Sequence, residues 1–201
     1  MTKTSHFCLT ESFLIMKYIY TLFTLLALSF GFSQETLEDF EGVSAATAEF
    51  GGATASIVDD PEMGGTHGKV AQGNSTAGGQ VWQGYTFDLN TKNLDLTATK
   101  TVMLDVYSND PIEFAVKVQA GVGGATDSTK NAAHAGTGWE TITVDFSSDT
   151  VDGTGAADGA YAQIAIYLNW DSSAGNFGTP LYKTFYIDNF VGVGIDKPAP
   201  I

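Results

Sequence analysis

Arginine is absent from this chain, and cysteine occurs once, at Cys8. With 23 acidic residues against 9 basic ones, all lysine, the net charge is −14. A chain this acidic repels phosphate backbones and anionic lipid surfaces, so nucleic acid and charged membranes are poor partners. Strongly anionic polysaccharides are disfavoured on the same ground, whereas neutral ligands are not. The longest apolar run, Tyr18 to Phe30, is too short to span a bilayer. A second reading of the acidity, adaptation to a saline habitat, requires no binding site at all.

That apolar run has the layout of a secretory signal. It follows Met16 and the single basic residue Lys17, and it gives way to small and polar Gly31-Phe32-Ser33-Gln34. Cleavage is expected near Gln34, which sends the product out of a Gram-negative cell or onto its surface, with no membrane insertion afterwards. Residues 1–15 read as lying upstream of the natural start at Met16. Cys8 falls in this leader, so the mature chain is expected to have no disulfide, no thiolate metal site and no cysteine nucleophile. No cysteine stands at the cut to carry a lipid anchor. Secretion without disulfides suits a bacterium.

The expected organisation is a leader over 1–34, one domain over 35–194, and a linker-like tail over 195–201, to which further domains could be joined. Short runs rich in β-branched and aromatic residues recur through the domain, with Gly, Asn, Asp and Ser between them. Strands are expected over 36–42, 54–59, 68–73, 80–88, 100–108, 112–120, 138–146, 162–170 and 183–193. The stretches 120–137 and 147–161 read as loops. The part 149–159 imitates a calcium loop but lacks its regular ligand positions and closing Glu. Without helical periodicity or βαβ alternation, the fold class is all-β: an antiparallel β-sandwich of jelly-roll topology.

Alternation separates two faces on three of these strands. Val102, Leu104 and Val106 oppose Met103, Asp105 and Tyr107. Phe114, Val116 and Val118 oppose Glu113, Ala115, Lys117 and Gln119. Ile164, Ile166 and Leu168 oppose Gln163, Ala165, Tyr167 and Asn169. If the three strands are neighbours, their second faces merge into one polar and aromatic surface.

Two motifs bracket the domain: Phe40-Glu41-Gly42 near its start and Tyr186-Ile187-Asp188-Asn189-Phe190 near its end. Between them stand Ile57-Val58-Asp59-Asp60-Pro61, Gly68-Lys69-Val70 and Gly79-Gln80-Val81-Trp82-Gln83-Gly84. Lys100 to Ser108 and Trp139 to Phe146 follow. In this order and spacing, covering nearly all of 36–193, they resemble a family of secreted modules from marine Bacteroidetes. These are carbohydrate-binding-module-like jelly rolls with a galactose-binding-like sandwich, found beside glycoside hydrolases, polysaccharide lyases and surface glycan-binding proteins. The resemblance implies a structural calcium between the first and last strands, carried by Glu41 and Asp188, with Asp39 and Asp60 as weaker candidates. The alternative is that Glu41 caps a turn and Asp188 is an ordinary strand-end carboxylate.

The candidate ligand-binding residues are Trp82, Gln80, Tyr107, Lys117, Gln119, Tyr167, Asn169 and Trp170. Aromatic planes pack on the C–H faces of sugar rings, and amides and charged groups bond their hydroxyls. Trp82, after small residues, is balanced between site and core. Trp170 shares parity with Ile164, Ile166 and Leu168 and leans toward core or rim. Trp139 is expected at the rim of the core. Lys117 stands either in the site or in a cross-strand pair with Asp105.

Catalysis has little support, and the chain is not expected to be an enzyme. No strand carries a close array of carboxylates for glycoside hydrolysis. His67 and His134 fall in expected loops without a metal-binding cluster, and His67 reads as a solvated loop residue. No Gly-x-Ser-x-Gly elbow anchors a triad. The sequence therefore favours a non-catalytic module for a neutral polysaccharide such as an algal or plant β-glucan. A structural or adhesive cell-surface module is the alternative, and a small polysaccharide-acting enzyme ranks last.

Overall fold

The computed structural model describes residues 33–42, 48–148, 151 and 155–197. The leader as far as residue 32, positions 149, 150 and 152–154 of the calcium-loop imitation and the tail from 198 lie outside the described residues. Among the described residues fourteen strands run in the order β1 (Gln34–Glu38), β2 (Ala48–Phe50), β3 (Thr54–Asp59), β4 (Lys69–Ser75), β5 (Gly84–Asp88), β6 (Lys92–Asp95) and β7 (Thr101–Ser108). They continue with β8 (Ile112–Val122), β9 (Ser128–His134), β10 (Gly138–Asp145), β11 (Ala160–Tyr167), β12 (Trp170–Asp171), β13 (Asn176–Phe177) and β14 (Lys183–Asp196). All pairings are antiparallel. No helix among the described residues is long and apolar enough to cross a membrane.

The strands form two facing sheets. Sheet I runs β3-β4-β14-β7-β10, with β1 against the later part of β14. Sheet II runs β9-β8-β11-β5-β2, with β6 beside the start of β11. At one corner β6 also pairs with the end of β14, from Gly194↔Leu94 to Asp196↔Lys92. β14 can serve four partners, β4, β7, β1 and β6, because it bends: Asn189 adopts φ 46° and the register to β7 shifts between Asp188 and Val191. Asparagine tolerates this left-handed conformation better than most residues.

Alternation builds the core as the sequence predicts. Val102, Leu104 and Val106 of β7 and Phe185 and Ile187 of β14 face Phe114, Val116 and Val118 of β8 and Ile164 and Ile166 of β11, all fully buried. The bracketing motifs meet here. Phe40 and Phe190 both set their rings edge-on to Phe87, with centroids 5.3 and 5.8 Å away. Phe40 reaches the core from φ 56°, in a turn held by the Glu38 carboxylate, which accepts the Phe40 N–H at 2.9 Å. Each such ring contributes about 2 kcal/mol on burial. The first strand is therefore tied to the last through β1–β14 backbone pairing, from Gln34↔Val193 to Glu38↔Phe190.

Several expectations need correction. Residues 80–83 are a turn, with Gln83 N–H bonded to the Gln80 carbonyl. The expected loop 120–137 contains β9, whose polar sequence pairs along the edge of β8. The short β2 and β6 and the β12–β13 hairpin carry too few apolar residues to register as periodic. Finally, β7 belongs to sheet I while β8 and β11 are neighbours in sheet II, so the three second faces do not merge.

Candidate functional site

The outer face of sheet II carries a groove built by cross-strand register. One row across it reads Phe50, Gly84, Tyr167, Ala115 and Asn131; the next reads Ala48, Thr86, Ala165, Lys117 and Thr129. Gly and Ala along the middle keep the floor low. At one end stand the aromatics: Trp82 stacks on Phe50 with centroids 6.2 Å apart and planes 21° from parallel. Phe50 meets Tyr167 at 5.3 Å, and Tyr167 meets Phe177 at 5.2 Å. Phe50, Trp82, Thr86, Gln119, Tyr167 and Phe177 line an open pocket of about 410 Å³. Trp82 is 44 % exposed, so an aromatic plane is offered to solvent.

The other end of the groove is polar. Gln119 donates to the Gln163 side chain, and Gln163 donates to Asp88 at 2.8 Å. This chained orientation leaves amide and carboxylate groups aligned beside the aromatic wall, the combination a hydroxyl-rich ring requires. Lys117 pairs with Asp127 at 2.9 Å, not with Asp105, which lies in the other sheet and accepts from Thr141 and Asn189.

Of the sequence candidates, the structure gathers Trp82, Lys117, Gln119 and Tyr167 on this face. Gln80 lies in the turn before Trp82, its N–H bonded to the Gly51 carbonyl. Asn169 and Trp170 are buried and do not present a surface; Trp170 instead backs Phe177 edge-on at 5.6 Å. Tyr107 is on the outer face of sheet I. Phe50, Thr86 and Phe177 escaped sequence reasoning because they lie in a three-residue strand, at a polar strand position and in a two-residue strand.

Sheet I holds the histidine and carboxylate cluster. His67 is not a solvated loop residue: its ring stacks on Trp139 at 3.7 Å and its Nδ1 lies 2.8 Å from Asp188 Oδ2. Trp139 correspondingly sits on the outer face, not at the core rim, and donates to Asp60 at 3.1 Å. Burial pushes Asp60 upward, but bonds from the Glu62 and His67 amides and from Trp139 outweigh it and hold its carboxyl below the usual range. His134 ends β9, buried, with Nε2 at 2.8 Å from the Gly138 carbonyl.

The four metal candidates do not form one shell. Asp39 accepts the Glu41 amide, Glu41 accepts the Lys69 amide at 2.6 Å, and Asp60 is occupied as described. Among the described residues no group of three or more His, Cys, Asp or Glu is placed to hold a metal ion. Asp188 is different. It is 2 % exposed, its Oδ1 is buried without a partner, and burial raises its pKa to about 6. Glu38, also buried and raised chiefly by desolvation, lies within electrostatic reach of Asp188. The buried Asp188 Oδ1 without a partner is the feature of these residues open to a cation, whereas Glu41, Asp39 and Asp60 already accept donors of the chain.

No protein-family model matches the chain, and no curated protein matches it in sequence. Solved structures do match. One is the family 11 carbohydrate-binding module of the cellulosomal cellulase Lic26A-Cel5E of Clostridium thermocellum. It is 20% identical at a TM-score of 0.51, over 85% of this chain and 99% of that one. Another is an exo-β-agarase, 15% identical at a TM-score of 0.55, with 82% of this chain covering 25% of the agarase chain. These likenesses identify the fold as an antiparallel jelly-roll β-sandwich.

Proposed function

We propose that this protein is a secreted, non-catalytic glycan-binding module that holds a neutral polysaccharide, β-glucan-like, in the groove on sheet II. The observation that carries this reading is the exposed Trp82–Phe50 stack, continued by Tyr167 and Phe177, beside the chained amides of Gln119 and Gln163. The groove is open along the sheet, which suits a chain passing through more than a small ligand enclosed on all sides. Its one lysine is neutralised by Asp127 and the whole chain is acidic, so an uncharged polymer is the ligand its electrostatics admit. The likeness in fold to the carbohydrate-binding module of a cellulase, and to part of an exo-β-agarase, supports the same class.

Calcium belongs to this reading as a structural ion. Asp188 and Glu38 would hold it, with backbone or solvent oxygens completing the shell, and it would neutralise charge where β1 meets β14. Affinity electrophoresis through gels containing β-glucans, xylan, mannan or agarose, with calcium present, tests the function. Retardation in at least one neutral glycan is expected; free migration in all of them would overturn the reading.

A further inference from the structure

The outer face of sheet I, opposite the groove, carries a second aromatic row. Register places Trp139, Tyr107, Tyr186 and Gln72 side by side across β10, β7, β14 and β4. Tyr107 lies 5.4 Å from Trp139 and 5.8 Å from Tyr186, centroid to centroid, and Gln72 donates to the Tyr186 hydroxyl at 3.1 Å. The row is therefore oriented by ring contacts on one side and a hydrogen bond on the other. Tyr107 and Tyr186 are partly exposed and form one wall of a pocket of about 300 Å³, completed by Pro61, Asn109, Asp110 and Thr184. Tyr182, 81 % exposed, stands one residue before β14 begins.

We infer that this pocket is a second carbohydrate site, taking one or two units of a neutral sugar. Its volume lies at the lower end of the range for small-ligand sites, too small for a longer chain segment. Tyrosine rings offer planes for C–H faces, while Asn109, Thr184 and the tyrosine hydroxyls offer donors and acceptors at several angles. No cation lines it and Asp110 does, so acidic sugars and phosphorylated ligands are repelled. A second copy of this chain is a poor occupant, because two molecules of charge −14 would be brought together around a carboxylate. The site shares the ligand class of the sheet II groove but not one of its residues, so the protein would grip glycan on two opposite faces. Two sites of modest affinity on one polymer raise avidity without new contacts.

The test is a nuclear magnetic resonance titration of the 15N-labelled protein with neutral hexaoses of cellulose, laminarin, xylan and agarose. Three proteins are compared: wild type, Trp82→Ala/Tyr167→Ala, and Thr184→Arg, whose exposed position allows the new side chain to fill the pocket without touching the core. The expected result is two separate groups of shifted amides. The group around Tyr107, Asn109 and Tyr186 persists in the double variant and weakens at least tenfold in Thr184→Arg. Shifts confined to sheet II, or sheet I shifts that vanish in the double variant, overturn the second site while leaving the groove intact. Shifts on sheet I that depend on protein concentration and not on sugar identify self-association and also overturn it. A protein unmoved by every probe sinks both readings; movement on sheet I alone sinks only the groove.

Discussion

Gly84 and Phe50 face each other across the β5–β2 pair, and a Cβ at residue 84 would stand 2.7 Å from the Phe50 ring and 2.0 Å from the Ile166 carbonyl oxygen. The missing side chain is what lets Phe50 lie flat enough to support Trp82. Gly84→Ala therefore strains the β5–β11 ladder and tilts the aromatic wall together. We expect a loss of about 1–3 kcal/mol of stability, with a melting temperature lower by several degrees and weaker glycan retention. An unchanged melting curve would show that the sheet absorbs the methyl group freely.

The Phe40–Phe87–Phe190 cluster should dominate mutational cost in the core. Phe190→Ala leaves a cavity where β1, β5 and β14 meet, at a cost of about 3–5 kcal/mol in urea unfolding. A cost below ~1 kcal/mol would mean that the bracketing motifs do not fasten the sandwich.

Asp188 makes stability depend on pH in a direction opposite to that of an ordinary ion-paired carboxylate. Burial raises its folded pKa from 3.8 to about 6, so between those values the folded state binds the extra proton. Stability measured in chelator should fall as pH rises from about 4 to about 6, by on the order of 3 kcal/mol for a shift of this size. Asp188→Asn should remove that slope. Added calcium should flatten it as well, raising the melting temperature most at neutral pH, where the ionised carboxylates need a cation. A melting temperature indifferent to calcium at pH 7 would exclude the ion from the Asp188–Glu38 position.

A neutral ligand leaves a further signature. With no charge to screen, glycan affinity should change less than twofold between low and high salt, since only charge–charge attraction is cut by ions. A steep loss of binding with salt would point to an anionic polymer and to Lys117 as its anchor.

The core was legible because burial imposes a period of two: the inward residues of β7, β8, β11 and β14 are those that alternation selects. The site was legible only in part. Lys117, Gln119 and Tyr167 follow from the same alternation, and Trp82 from its small neighbours. Tyr107 carries the same signal, yet the sheet to which a strand belongs depends on long-range pairing that local sequence does not encode. Asn169 extends the outward parity of β11 past its end at Tyr167, where that parity no longer holds and the side chain is buried; Trp170, whose parity pointed to core or rim, is buried as that parity implies. Phe50 and Phe177 sit in strands of three and two residues, too short for periodicity to mark. Glu38 went unnoticed beside Glu41 because nothing in the order Glu38-Asp39-Phe40-Glu41 tells that Phe40 turns left-handed and leaves Glu38, not Glu41, pointing into the buried side.

The measurement that bears most directly on the groove is isothermal titration of wild type and Trp82→Ala with the oligosaccharide of whichever neutral glycan retards the wild type. Trp82 is half in solvent, so its removal should leave the melting temperature within about 2 °C, as expected for a surface change. The affinity should drop at least tenfold, equivalent to ~1.4 kcal/mol. Equal affinity in the two proteins, with the fold intact in both, would contradict the assignment of the sheet II groove as the glycan-binding site.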